Sequence, residues 1–332
     1  MIKIKLADLR IGVEENSPRF AELVNGYLTQ DEETDFIVSA SEEDIAFEQT
    51  QNERRALRDD DVMRQWRHAY LEKLAIYRKI AERLPGYGAF LFHGSAVAVD
   101  GEAYLFTARS GTGKSTHTRL WREHFGSRCV MINDDKPLLR LHEDGRFFVY
   151  GTPWDGKHHL SSNVRMPLKA VCILTRDEYN HIEPLKPEEA YSELLMQTFR
   201  HSDANALMQT MELLDTLTRR AGLYRLGCTM DPEAAVISYE GMQKKMKLKE
   251  GFRTHMAGDK QVMAGVASTG FSGLVRSNAT AAFIIDQLKQ ETTEEQIVQA
   301  VLARYEDAPE AQVRADVQKV IGTLRGINAL DE

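Results

Sequence analysis

The chain is 332 residues long, 42% apolar and 28% charged, with a formal net charge of −8; that length is the prior for two domains, with apolar residues enough for both cores. The acidic balance argues against a nucleic-acid binder, which concentrates lysine and arginine on one face, and no run approaches the ~18 apolar residues of a membrane span. Cys129, Cys172 and Cys228 are odd in number, far apart and each set in an apolar run, so they read as buried thiols in a reducing cytoplasm and not as a disulfide framework or zinc site.

The opening segment, MIKIKLADLRIGVE over 1–14, alternates like a strand and lacks the apolar block and cleavage site of a signal peptide. A short helix over 18–28 and a strand over 34–40 follow. Residues 62–84 then carry apolar residues at helical spacing, with Trp66, Tyr70, Leu74, Tyr77 and Ile80 on one face and Pro85-Gly86 as the stop. Residues 1–88 are thus expected to form an α/β lead-in packed on the domain that follows. Residues 88–108 give two or three strands turning at Asp100-Gly101, a dipeptide suited to a tight hairpin, and 116–125 a helix. Strands are expected at 128–134, 146–151 and 169–176. Helices are expected at 187–199 and 204–222, the second closing on Arg219, Arg220 and Gly222. A last strand at 223–229 precedes a helix over 231–247 with Asp231 as N-cap and Pro232 in its first turn.

The lysine-rich stretch from Lys244 to Lys249 reads as a linker, 244–250, between a first domain over 89–243 and a second over 251–332. In the second, alternating runs at 251–257, 261–268 and 272–277 precede helices at 278–290, 292–305 and 310–326. The middle helix opens on the capping box Thr292, Thr293, Glu294, Glu295. Roughly eighty residues with their own apolar faces lie near the lower limit for independent folding.

The chemistry is concentrated in FTARSGTGKST, residues 106–116, between an apolar strand and a helix. It fits the phosphate-binding loop, with Ala108 where the first glycine usually stands. Glycine permits the positive φ that turns successive amides inward around an anion, here from Ser110, Gly111, Thr112 and Gly113. The following helix, from Thr116, presents its positive end to the same phosphates. Lys114 would reach the outer phosphates and the Ser115 hydroxyl would ligate Mg²⁺. A metal-bound nucleotide also needs an acid, and VMINDDKP supplies Asp134 and Asp135 at the end of a strand. One carboxylate can hold the metal or its water; the other can take the proton of an attacking hydroxyl. ATP and Mg²⁺ are the expected cofactors.

FHGSAV, the glycine loop and then INDD, in that order, resemble the HPr kinase/phosphorylase family, whose fold is that of the phosphoenolpyruvate carboxykinases. The resemblance spans residues 85–240. It implies that His93 belongs to the catalytic site with Lys114, that Asp135 is the base, and that Asp134 stands beside the metal with Ser115. The chain has no counterpart of that family's arginine-rich dephosphorylation loop and no EIRG segment. In its place stands YGTPWDGKHHLSS, similar to a Pro-Trp-x-Gly segment in smaller HPr-kinase-like enzymes of peptide-modification pathways. By that likeness Trp154 would wall the acceptor site, and Asp155 and Lys157 would offer a metal or phosphate contact. Arg165 and Arg200 are candidate charge-stabilising residues.

Residues 250–330 resemble the pyrroloquinoline-quinone synthesis protein D family, small winged-helix modules that bind leader peptides of ribosomally made, later modified peptides. The resemblance rests on Asn278-Ala-Thr280, on Thr293 to Tyr305, and on Asp316-Val317. It implies that an extended leader adds to the sheet edge Gly273, Leu274, Val275, Arg276, Ser277, with Arg314, Val317, Gln318 and Ile321 as groove wall. The expected whole is an α/β HPr-kinase-like kinase domain plus a winged-helix domain of three strands and three helices. Its expected function is ATP- and Mg²⁺-dependent phosphorylation of a Ser or Thr hydroxyl on a precursor peptide, with neither nucleic acid nor membrane as partner. The family also tends to assemble, which leaves a homo-oligomer open. Two alternatives stand beside it: a kinase for a small molecule such as free serine, and a nucleotide-gated peptide chaperone without catalysis.

Overall fold

Asp100 and Gly101 both take positive φ, 52° and 83°, the left-handed pair that lets a two-residue hairpin follow the strand twist. They join Ser95–Val99 and Glu102–Thr107 in antiparallel register, from Ser95 opposite Phe106 to Val99 opposite Glu102. Ala7 and Asp8 make the same kind of turn, with φ of 50° and 57°, between Ile2–Leu6 and Leu9–Glu14. Phe36–Ser39 then adds in parallel and completes a three-stranded sheet. A computed structural model describes residues 1–14, 19–58, 66–243, 245–258, 260–305 and 307–332. They divide into two compact units, Met1–Ser238 and Tyr239–Glu332.

The first unit is organised by the strand Arg165–Arg176. Its first residues pair antiparallel with Phe147–Tyr150, and the remainder runs parallel to Glu102–Thr107 and Gly222–Cys228. The sheet continues through Leu138–Leu141 to Ala89–Leu91 on one side and through Ser95–Val99 to Cys129–Asn133 on the other. Residues Ala170 to Leu174 are buried, as the unbroken apolar run of a strand covered on both faces requires. The glycine-loop strand shows why two layers form. Leu105 joins a core with Leu194, Leu214 and Leu217 of the helices Pro187–Leu195 and Ala204–Arg220. Its neighbours Tyr104 and Phe106 point the other way, onto Trp121 of the helix Lys114–Phe125, with ring centroids 4.8 and 5.1 Å apart.

The lead-in departs from its expected pattern in three places. The helix spans His68–Arg83 and buries Leu71, Ala75, Ile76, Tyr77 and Ile80, leaving Tyr70 42% exposed; the buried stripe is rotated from the one expected, whose residues 62–65 lie outside the described residues. A second helix, Glu42–Arg58, stands where none was expected and buries Ile45 and Ala56. It is also fastened by charge, Arg78 reaching Asp44 at 2.9 Å and Glu48 at 2.7 Å. The helix expected over 18–28 is shorter, Arg19–Leu23, and runs into a 3₁₀ turn at Asn25–Tyr27.

In the second unit, Phe252–Ala257, Lys260–Gly265 and Leu274–Ser277 form an antiparallel meander, followed by helices Ala279–Gln287, Glu294–Arg304 and Glu310–Gly326. The stretch read as linker is a strand. Lys245–Leu248 pairs with Thr292–Thr293 on one side and Leu330–Asp331 on the other, burying Met246 and Leu248 while its lysines face solvent. The preceding helix, expected to run to 247, is Glu233–Gly241. The capping box sits one residue later than expected: Thr293 Oγ1 accepts from Gln296 N, and Gln296 Oε1 accepts from Thr293 N. All three cysteines are free thiols. Among the described residues no helix is long and apolar enough to cross a membrane.

Candidate active site

The loop leaves its strand at Ala108 and ends at Lys114, where the helix begins two residues earlier than expected. Gly111 and Gly113 have φ of 80° and 127°, and a Cβ on either would meet no heavy atom within 4 Å. Glycine is needed there for backbone shape and not for want of room. Lys114 is buried and folds back across the loop, Nζ donating to Ala108 O at 3.0 Å. Its pKa is lowered, chiefly by burial, with Asp135 and then Asp134 opposing. Arg176, at the end of the neighbouring strand, braces the loop from outside. Its Nη2 donates to Gly111 O at 2.5 Å and its Nε to Thr112 O at 3.4 Å. A cleft of about 650 Å³ opens beside the loop between Arg109, Thr112, Arg176 and Gln197.

Asp134 and Asp135 are presented by Asn133. The Asn133 Oδ1 accepts from the amides of Asp135 (2.9 Å) and Lys136 (2.6 Å), while Nδ2 donates to Thr152 O at 3.1 Å and Oγ1 at 3.0 Å. This Asx turn bends the chain so that the two carboxylates diverge. Asp134 is buried and accepts from Ser95 Oγ at 2.7 Å. Asp135 is half-buried, with Oδ1 3.5 Å from His93 Nε2 and Oδ2 3.6 Å from Lys136 Nζ.

His93 is held on three sides. Its amide donates to Gln197 O at 2.8 Å, its carbonyl accepts from Thr107 Oγ1 at 3.0 Å, and Gly94 N donates to Asp135 O at 3.0 Å. Gly94 is required by close approach, because a Cβ there would lie 2.9 Å from Leu105 Cδ1 and 3.0 Å from Phe106 O. His93 Nδ1 lies 2.9 Å from Gln197 Oε1; as donor to that oxygen, the neutral ring turns a bare Nε2 towards Asp135. Burial, then the Lys114 charge, lowers the His93 pKa, while the Gln197 bond and Asp135 oppose.

The remaining expected site residues scatter. Trp154 is only 4% exposed; its ring stacks on Tyr77 at 3.9 Å and belongs to the lead-in core, so it backs the Asp135 loop without walling an open cleft. Asp155 accepts from Ser161 Oγ at 3.0 Å and lies 3.2 Å from His159 Nδ1. The side chain of Lys157 lies outside the described residues. Arg165 is committed to the lead-in hairpin, its Nη1 2.7 Å from Asp8 Oδ2, which also accepts from Tyr150. Arg200 is exposed, 3.3 Å from Met196 Sδ. Ser95, Asn133, Arg176 and Gln197 carry the site's geometry and were not singled out in the sequence. Ser95 had a signal, as a hydroxyl in the wholly buried run SAVAV.

The donor set fits a metal-bound nucleotide. The glycine loop, whose Thr112 amide donates to Arg109 O at 3.2 Å, and Lys114 suit phosphates, and the oxygens of Ser115, on the first turn of the helix with Thr116, and Asp134 suit a hard divalent cation. Among the described residues no three His, Cys, Asp or Glu side chains converge as a metal-binding group, so a cation here would need oxygens from other groups.

In the second unit, Leu274–Ser277 is the edge of its meander, with Leu274 65% exposed. A groove of about 460 Å³ runs between this edge and the helix Glu310–Gly326, lined on the helix by Asp316, Lys319, Val320 and Thr323. Val317 and Ile321 are fully buried in the core, and Arg314 is turned to Glu295 at 2.8 Å and Glu310 at 2.8 Å. At about 100° per residue, the face expected to line the groove is the inward one, and its neighbour lines it. Gln318 is exposed and Gly273 immediately precedes the edge strand.

Residues 59–235 match the family model of SynChlorMet cassette protein ScmC, and residues 262–330 that of coenzyme PQQ synthesis protein D, PqqD. No curated protein matches the chain. Among solved structures, TbiB1 in complex with the TbiA(beta) leader peptide is similar at 19% identity over 26% of this chain and 94% of that one, with a TM-score of 0.23. The Hpr(Ser) kinase/phosphatase from Coxiella burnetii is similar at 11% identity over 37% of this chain and 87% of that one, with a TM-score of 0.22. Both are partial likenesses.

Proposed function

The chain belongs to the SynChlorMet cassette protein ScmC family, whose match spans residues 59–235, more than half its length, and we propose, from the geometry of its glycine loop and acidic pair, that it is an ATP- and Mg²⁺-dependent kinase. Its substrate is a Ser or Thr hydroxyl on a ribosomally made precursor peptide, recruited by the second unit. The observation that carries the reading is the placement of Asp135 between His93 Nε2 and Lys136 Nζ, 3.5 and 3.6 Å away, near a glycine loop whose Lys114 feels both carboxylates.

Bound ATP and Mg²⁺ supply the transferable phosphoryl group and neutralise its charge. Gly111, Gly113 and Lys114 hold the phosphates, and Ser115 and Asp134 offer oxygens to the cation. Asp135 takes the proton of the acceptor hydroxyl. His93 Nε2 faces the same carboxylate and can receive that proton, because the Gln197 bond keeps the ring's own hydrogen on Nδ1. Lys136 Nζ stands 3.6 Å from the other oxygen of that carboxylate. In the second unit, the edge Leu274–Ser277 pairs with an extended leader while side chains enter the groove beside Lys319 and Val320; the match of residues 262–330 to the PqqD family supports this.

The test is incubation with γ-labelled ATP and, separately, candidate precursor peptide and free serine. Label on the peptide is expected. Label on serine alone would favour a small-molecule kinase, and label on neither would favour a chaperone without catalysis.

A further inference from the structure

Ser95 is fully buried on the strand Ser95–Val99, between the helix that follows the glycine loop and the turn that carries the acidic pair. Its hydroxyl lies 2.9 Å from Thr118 Oγ1 and 2.7 Å from Asp134 Oδ1. We propose that Thr118 and Ser95 form a hydroxyl relay that positions the Asp134 carboxylate for the nucleotide-bound cation, Ser95 acting as a positioning residue and not as a ligand. The inference rests on the kinase reading and deepens it.

The direction of the relay follows from counting protons. An ionised carboxylate only accepts, and each hydroxyl has one hydrogen to give. Ser95 therefore donates to Asp134, and the Ser95 oxygen must accept from Thr118. Thr118 has competing acceptors in Lys114 O at 3.3 Å and Ser115 O at 3.4 Å, both longer than the 2.9 Å to Ser95. The chain Thr118 to Ser95 to Asp134 is thus the arrangement with the shorter bonds. It has two consequences. Oδ1 accepts one bond from Ser95, which fixes the orientation of the carboxylate that Asp134 can offer to a cation. And the carboxylate is tied to Thr118, one turn beyond Ser115, so the two groups expected to share the cation are fixed relative to each other through buried bonds. Asp134 N donates to Leu160 O at 3.0 Å, which fixes the backbone and leaves the carboxylate rotamer to Ser95.

The experiment measures Mn²⁺ binding by the electron spin resonance signal of free Mn²⁺. It uses the full chain and a non-hydrolysable ATP analogue, with nucleotide affinity measured separately in chelator. Ser95→Ala is expected to weaken Mn²⁺ binding by about 10- to 100-fold, the usual cost of losing a group that orients a ligand, with metal-free nucleotide affinity within about twofold of the parent. Thr118→Val, which keeps the shape and removes the hydrogen, should weaken it in the same direction by a few-fold, and Thr118→Ser should restore it. Mn²⁺ affinity unchanged in Ser95→Ala, or in Thr118→Val should the alanine variant not fold, overturns the relay. A parent protein that binds nucleotide but no Mn²⁺ with it removes the cation site itself, a separate failure that strikes the kinase reading.

Discussion

In the proposed reaction, the proton on His93, whose Nε2 lies 3.5 Å from Asp135 Oδ1, decides what Asp135 can do. Asp135→Asn keeps the shape and removes the basicity, so transfer to peptide should fall by about 10²- to 10⁴-fold, the range for a general base, while nucleotide affinity changes little; retained turnover would remove Asp135 as base. His93 sets the pH response. Its pKa is lowered by burial and then by Lys114, so the ring is neutral at pH 7. Protonation as the pH falls below its unperturbed 6.5 abolishes the acceptor at Nε2. Activity should therefore hold through neutrality and fall on an acid limb whose apparent pKa lies below 6.5. A pH–kcat/KM profile checks this; an acid limb above 6.5, or none, contradicts the role given to His93. The nearness of Lys114 to Asp134 and Asp135 was legible in the sequence because the glycine loop and the acidic pair each follow an apolar strand. Gln197 was not, because it meets His93 across 104 positions of chain, and nothing near Gln197 in sequence records that meeting. Arg165 looked available for the same reason: its partner Asp8 is 157 positions away.

Elements were legible where an apolar period sets them and hidden where charge or register does. Glu42–Arg58 is a helix fastened by ion pairs, and Lys245–Leu248 is a strand whose lysines mimic a linker. The helix Glu310–Gly326 was found with the wrong face assigned, because Val317, Ile321 and Lys319 lie within one turn of each other. That difference separates two measurements. Val317→Ala should cost about 2 kcal/mol of the second unit's stability, by loss of buried methyls, whereas Lys319→Glu should leave the melting temperature nearly unchanged and shift affinity for the leader. The opposite assignment reverses the outcomes. The glycine-loop helix supplies a pH test of its own. His117 is buried, with Nε2 accepting from Trp121 Nε1 at 3.1 Å, and desolvation drops its pKa to about 3. The unfolded chain, with His117 near 6.5, binds the proton first. Stability is then full above pH 6.5 and is lost as the pH falls towards 3, by up to about 1.4 kcal/mol per pH unit. Urea midpoints followed by tryptophan fluorescence between pH 7 and 4 should show that slope, and His117→Gln should flatten it.

For the whole molecule, the proposed function divides catalysis and recruitment between the two units, and this predicts how a substrate's two ends contribute to rate. A peptide held by its leader is presented to the active site at an effective concentration near millimolar, a gain in apparent affinity on the order of 10²-fold or more with no new contact at the acceptor. The leader then acts on KM and not on the chemical step, which belongs to Asp135 and the glycine loop. A leaderless acceptor peptide should be phosphorylated with nearly the parent kcat and a KM raised on the order of 10²-fold. Free leader added in trans should compete with full-length precursor, raising its KM and leaving kcat alone, and should not rescue the leaderless peptide, because tethering is lost when the two ends are separate molecules. Lys319→Glu should raise KM for the full precursor and leave the leaderless reaction untouched, since that reaction never uses the groove. Steady-state kinetics with the two peptides and the two proteins decide the matter. Equal KM values with and without the leader would show that the second unit does not recruit the substrate, while rescue by free leader would show that it switches the first unit on, a coupling that tethering alone does not provide.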